Sequence, residues 1–186
     1  MKDVQLLGEH NLWNISAVVA LADLLHIDDK VLQQTVKAFQ PVQHRLQKVE
    51  TFKGITFYDD AISTTPDSTI AALDALGEQV ETIFLGGLDR GYDFTPLIEK
   101  IKKSQIKNIV FFPESGEKIA EMLKEGYNTL HTSNMEEAVK FAYQYTSSGK
   151  VCLLSTASPS YTVWKNFEEK GDLFQKFVLQ QGTTLV

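Results

Sequence analysis

Cysteine is nearly absent from this 186-residue chain, with Cys152 alone. A single thiol excludes an internal disulfide and any multi-cysteine metal site. Positive charge is also scarce. Eighteen Lys and Arg against 24 Asp and Glu leave a net charge of -6, the wrong sign for a protein that coats a nucleic-acid duplex. No apolar run reaches the ~18 residues of a membrane span, and Met1-Lys2-Asp3 leads into no signal-peptide core. His10, His26, His44 and His131 are scattered, without metal-ligand spacing. What remains is 43% hydrophobic and 23% charged, a balance that builds a core and argues against disorder. The expectation is a cytoplasmic monomer with no nucleic-acid and no membrane partner.

The chain opens with two helical patterns. Leu12, Ile15, Val18, Val19, Ala22 and Leu25 recur at helical spacing. A second helix follows, capped by Asp28 or Asp29 and stopped by Pro41. No strand precedes them, so residues 1–42 read as the tail of something that began upstream. From about residue 43 the pattern changes. Leu46 to Phe52 and Ile55 to Asp60 suggest a hairpin joined by Lys53-Gly54. The apolar runs Thr82–Leu85, Ile109–Phe112 and Val151–Leu154 suit strands buried on both faces of a parallel sheet.

Helices are predicted at 67–76, 95–103, 114–125 and 134–147. Thr95-Pro96 reads as an N-cap with Pro at the first helical position, and Ser133 to Glu136 as a capping box. A last helix is predicted after Ser158-Pro159-Ser160, with Trp164, Phe167, Phe174 and Val178 on one face and Gly171 at a kink or a close contact. The whole reads as a Rossmann-like three-layer α/β domain with a mostly parallel sheet and an N-terminal hairpin, spanning 43–186.

Ligands of an open parallel sheet bind beyond the carboxyl ends of its strands. Four segments occupy such positions: Asp59 to Thr65, Gly86 to Gly91, Pro113 to Gly116, and Ser155 to Ser160. Hydroxyls and glycines beside helix starts suit a carboxylate or phosphate, and Arg90 offers a bidentate fork. The alternative is ordinary turns and caps. Gly86 and Gly91 have the spacing of a phosphate-binding loop, but Tyr92 follows where such a loop needs Lys. The chain therefore cannot run P-loop phosphoryl chemistry alone. Cys152 reads as inert packing in a strand. Ser155 and Ser160 lack a hydrolase elbow. Asp59 and Asp60 point to opposite strand faces, so they form no catalytic dyad; one is expected to cap a helix, the other to face a ligand.

Several segments together resemble the Mur ligase family. Gly8-Glu9-His10-Asn11-Leu12-Trp13-Asn14 is similar to its Gly-x-His-Asn-x-x-Asn motif, and His44-Arg45 to the His-Arg that opens its C-terminal domain. Tyr58-Asp59-Asp60 with Ser63-Thr64, Leu85 to Phe94, and Leu153 to Gly171 resemble the glutamate-adding branch. Lys165-Asn166-Phe167-Glu168-Glu169-Lys170-Gly171 is the most specific of these.

The resemblance implies an ATP-dependent amide-forming ligase of peptidoglycan synthesis, with glutamate, UDP-N-acetylmuramoyl-L-alanine, ATP and Mg²⁺ as reactants and cofactors. It places 1–42 at the end of a central ATPase domain and 43–186 as the C-terminal domain, inactive alone, with the Mg²⁺ ligands upstream. It implies that Asn11, Asn14, Arg45 and Asp60 contact the nucleotide. Thr64, Arg90, Ser160 and Phe167 would hold glutamate, Tyr161 would wall the pocket, and no residue here would transfer a proton. Alternatives stay open: Asn11 and Asn14 as helix caps, Ser160 as the cap of the last helix, Phe167 as core. Ile62 stands where many relatives have Lys, Arg90 where some have Lys, and Thr65-Pro66 and Thr156 to Pro159 also depart from the pattern; together these leave the glutamate enantiomer open. Another Mur-type ligase domain or a stand-alone binding module remain competing readings.

Overall fold

The computed structural model describes residues 6, 8 and 10–184; Met1-Lys2-Asp3 and the side chain of His10 lie outside the described residues. Two helices come first, α1 (His10–Leu24) and α2 (Asp29–Ala38). Asp28 caps α2 by accepting from the Lys30 and Val31 N–H groups, and Phe39 is already extended, two residues before Pro41.

The hairpin follows as β1 (Gln47–Phe52) and β2 (Ile55–Asp59). Helix α3 (Pro66–Leu76), β3 (Val80–Gly87), α4 (Thr95–Lys102), β4 (Asn108–Glu114), α5 (Ser115–Leu123), β5 (Asn128–His131), α6 (Met135–Tyr145), β6 (Val151–Leu154) and α7 (Phe167–Thr184) complete the fold. The six strands are ordered β1-β2-β6-β3-β4-β5. Only β1 runs antiparallel, against β2; the other neighbours are parallel.

Side chains of a strand alternate between its faces, and the buried strands use both. Ile83, Leu85, Ile109, Phe111, Val151 and Leu153 pack with α3, α4 and α5. Phe84, Val110, Phe112, Cys152 and Leu154 pack with α6 and α7. Continuous apolar runs are thus the signature of a sheet covered twice. Each fully buried Phe or Leu contributes ~1.5–3 kcal/mol relative to exposure.

Several local expectations need correction. Strand β5 carries the polar pattern Asn-Thr-Leu-His and is mostly exposed, so no apolar run marks it. Thr95 is itself helical; Phe94 precedes it without a side-chain cap, and Asp93 accepts the Thr95 N–H. The capping box lies at Thr65 and Ser68 rather than at Ser133 and Glu136, where Asn134 caps α6 by accepting from Glu136 and Glu137. Helix α7 begins at Phe167, so Trp164 packs from the preceding turn, edge-on to Phe112 at 4.7 Å. Gly171 marks a close contact within an unbroken helix: a Cβ there would sit 2.2 Å from His44 Nδ1 and 2.8 Å from Asp59 Oδ2.

Candidate functional site

The chain visits α3–β3–α4–β4–α5–β5–α6 before β6 returns between β2 and β3. The return reverses the strand order and sets the carboxyl ends of β2, β6 and β3 side by side. Such a switch point is where an open α/β sheet leaves a crevice. Three of the four expected segments therefore meet: Asp60 and Thr64 after β2, Ser160 after β6, Arg90 after β3.

The loops after β3 and β6 are laced together by backbone. Gly86 N–H donates to Thr156 O at 2.9 Å, and Leu88 N–H to Pro159 O at 2.8 Å. Gly87 has φ +144°, and a Cβ on it would lie 2.3 Å from Pro159 O, so only glycine allows this approach. The fourth segment braces the other loops. Ser115 Oγ donates to Gly87 O at 2.9 Å and shares a 2.7 Å hydrogen bond with Ser158 Oγ, and Glu114 accepts the Asp89 N–H at 3.0 Å. Asp89 also pairs with Lys118 and accepts the Gly91 N–H. Lys118 and Gly91 N–H hold its carboxyl below the usual carboxylate range. Arg90 sits on this braced tip, exposed, its guanidinium pairing with none of the described residues.

Ser160 is 2% exposed, yet its hydroxyl has no hydrogen-bond partner among the described residues. A buried hydroxyl without a partner is costly, about 1–3 kcal/mol, and a ligand acceptor would relieve it. Its carbonyl takes the Val163 and Trp164 N–H groups; its side chain caps nothing, because Asn166 Oδ1 accepts the Glu169 N–H in the first turn of α7. Phe167 opens α7, where backbone N–H groups lack intrahelical acceptors. Its ring packs edge-on against His44, 6.2 Å between centroids. Tyr161 stands 62% exposed. Thr64 is half-buried.

The two aspartates differ from expectation, since neither caps a helix. Asp59 is buried and accepts from His44 Nδ1 and Gln175 Nε2, both at 2.7 Å, and from Ala61 N–H. Asp60, 2% exposed, accepts from Leu46 N–H and Ser155 Oγ. Burial pushes its carboxyl up to about 6, against hydrogen bonds that hold it down. The thiol of buried Cys152 is likewise raised by desolvation, which keeps it inert. One residue of the Lys165–Gly171 motif was given no role from the sequence: Lys170, fully buried beneath the β6 loop, its ammonium donating to Thr156 Oγ1. In Glu-Glu-Lys-Gly nothing distinguishes it from a surface lysine.

A cavity of about 440 Å³ opens between α1, α2 and the start of the sheet domain, lined by Asn11, Asn14, Val36, Phe39 and Arg45 among others. Asn11 and Asn14 lie inside α1, joined by a 3.2 Å hydrogen bond, so they are not its caps. A second cavity of about 170 Å³ shares Arg45 and Leu46 with the first and adds Asp60 and Ser63. The four residues expected at a nucleotide thus line two adjoining cavities. Apolar walls with two amides and one guanidinium suit a planar base. Among the described residues no three metal-ligating side chains cluster, and no helix is long and apolar enough to cross a membrane.

Comparison with known proteins gives the family and the fold. UDP-N-acetylmuramoylalanine–D-glutamate ligase from Geobacillus sp. (strain WCH70) is 40% identical over 174 residues, 92% of this chain and 38% of that protein. The enzyme of the same name from Streptococcus pneumoniae (strain CGSP14) is 36% identical over 168 residues, 90% of this chain and 37% of that protein. The chain therefore spans under two-fifths of the length of these relatives. The fold matches UDP-N-acetylmuramate-alanine ligase MurC from Thermotoga maritima with a TM-score of 0.71 at 21% identity, over 97% of this chain and 40% of that one. It matches the MurF ligase from Thermotoga maritima, solved with ADP, at 0.65 and 19% identity, over 94% and 40%. The family model described as the Mur ligase glutamate ligase domain covers residues 44–158, from the histidine that locks onto Asp59 to the serine that meets Ser115, and by that match this chain belongs to the Mur ligase family.

Proposed function

We propose that this chain is the C-terminal part of an ATP-dependent ligase that joins glutamate through an amide bond to UDP-N-acetylmuramoyl-L-alanine. Residues 1–42 are the tail of its central domain and 43–186 its glutamate-binding domain. The observation that carries this reading is the switch point: a guanidinium at Arg90 and a buried hydroxyl at Ser160, neither with a partner among the described residues, on two loops locked by backbone bonds. That arrangement offers a cation and a fixed donor to an anion, as a carboxylate requires. Thr64 and the Phe167 N–H complete the set.

ATP, when bound, supplies the phosphoryl group that turns the acceptor carboxylate into an acyl phosphate. Asn11, Asn14 and Arg45 would hold its base and neighbouring charge in the larger cavity. Among the described residues no side-chain cluster fits Mg²⁺, and in this reading its ligands belong to the upstream part. Glutamate held by Arg90, Thr64 and Ser160 presents its amine to the acyl carbon; the new C–N bond forms as the C–O bond to phosphate breaks. The contribution of this domain is positioning. The exposed apolar surface of α1, with Trp13 and Leu24 each 74% exposed, supports an upstream domain packed there in the complete protein.

Calorimetric titration of the chain with D-glutamate and L-glutamate tests the reading. Binding of D-glutamate with clear preference over its enantiomer is expected. Preference for L-glutamate would redirect it to another amide ligase, and binding of neither would remove the glutamate site. Incubation with ATP, the UDP-sugar substrate and glutamate should release no phosphate. An immunoblot of source cells should show a band far above 20.9 kDa; a band at that mass would favour a stand-alone binding module.

A further inference from the structure

Lys170 is a cation in an unusual place. It lies in the first two turns of α7 with no exposed surface. Its ammonium makes one hydrogen bond among the described residues, to Thr156 Oγ1 at 2.5 Å. The nearby carboxylates of Asp59 and Asp60 act on it through space, but both are engaged elsewhere, by His44 and Gln175 and by Leu46 and Ser155. Desolvation lowers its pKa to about 7 in spite of those two acids. A buried charge held so sparsely is a poor source of stability, and an apolar side chain of similar volume commonly does as well or better.

Its contacts point instead to the ligand loop. Thr156 Oγ1, which accepts from Lys170, donates in turn to Ser158 O at 3.0 Å. Ser158 Oγ is held by Ser115. Two residues on stands Ser160, buried and with no partner for its hydroxyl. We propose that Lys170 is a positioning residue of the ligand site: through Thr156 its buried ammonium fixes the 155–160 loop, so that Ser160 and a positive field beneath the loop meet a ligand carboxylate. Charge under a dry loop is weakly screened and acts over a longer range than in water. This inference rests on the reading of the site as one for an amino-acid carboxylate.

The test compares this chain with Lys170→Met and Lys170→Arg. Three measurements are made on each: thermal unfolding, D-glutamate affinity by calorimetry, and amide hydrogen exchange at residues 155–160. Lys170→Met should fold with an unchanged or higher midpoint, bind D-glutamate at least tenfold more weakly, and exchange faster at 155–160. Lys170→Arg should restore affinity to within threefold. A folded Lys170→Met that binds D-glutamate like the parent, or that leaves exchange of the loop unchanged, overturns the proposal. Should Lys170→Met not fold, Thr156→Val removes the same link, and an unaltered affinity or loop exchange in that variant overturns it equally. Failure of the parent chain to bind D-glutamate sinks the functional reading instead, while loop exchange still decides the role of Lys170.

Discussion

Strand β3 and helix α1 are both rich in apolar residues, yet all eight residues of β3 are buried while Ala22 is the only buried side chain described in α1. The strand is covered by helices on both faces. The helix is apolar nearly all round its surface but packs mainly against α2, which itself buries nothing fully. A helix apolar on every side belongs inside a larger body. The sheet domain is thus covered on both faces, while the helical pair presents an apolar surface that none of the described residues covers.

The sharpest way to break that contrast is mutation on both sides of it. Phe84→Ala removes a ring packed between Phe112 and Phe174 and should cost about 3–5 kcal/mol in urea unfolding. A much smaller loss would mean the core is less tightly packed than it looks. Gly171→Ala forces a Cβ onto His44 and Asp59, and a loss of about 1–3 kcal/mol is expected. Arg90→Ala touches the site but no packing. It should weaken D-glutamate binding about tenfold or more with the thermal midpoint unmoved; unchanged binding takes Arg90 out of the site. Trp13→Ala in α1 should change stability by no more than about 0.5 kcal/mol. A larger loss would show that the helical pair supports the domain after all.

A pH series sharpens the comparison inside the site. Lys170 has its pKa lowered on folding to about 7, so between pH 7 and its unfolded value near 10.5 the unfolded chain binds more protons. Stability from this group therefore rises with pH across that window. Asp60 is raised to about 6, and its contribution falls as pH climbs from about 4 to 6. Lys170→Met should show its greatest relative stability near pH 7 and lose that advantage toward pH 10. A difference independent of pH would contradict a buried, charge-bearing Lys170.

The parallel sheet was legible because strands buried on both faces must be apolar throughout, as in Ile109–Phe112. The position of the four segments beyond the strand ends was legible because hydroxyls and glycines fall just after those runs. Strand order was not, since nothing in Val151–Leu154 says that it slots between β2 and β3. Strand β5 was hidden by its exposure, which frees its side chains to be polar. Asp59 looked like a cap or a ligand contact, but its partners His44 and Gln175 come from positions 15 residues earlier and 116 later. Lys170 stood in a quoted motif, but its role was unreadable for the same reason. Its burial is a property of where α7 lands.

The late return of β6 also orders events during synthesis. Its register with β2 joins Thr56 to Val151, residues far apart in the chain, and such distant pairings form slowly. Until Val151–Leu154 has left the ribosome, β2 and β3 have no strand between them. A nascent chain halted before residue 151 would expose two apolar strand edges and carry no ligand crevice at all. The crevice takes shape only when the C-terminal segment arrives and closes the sheet from within.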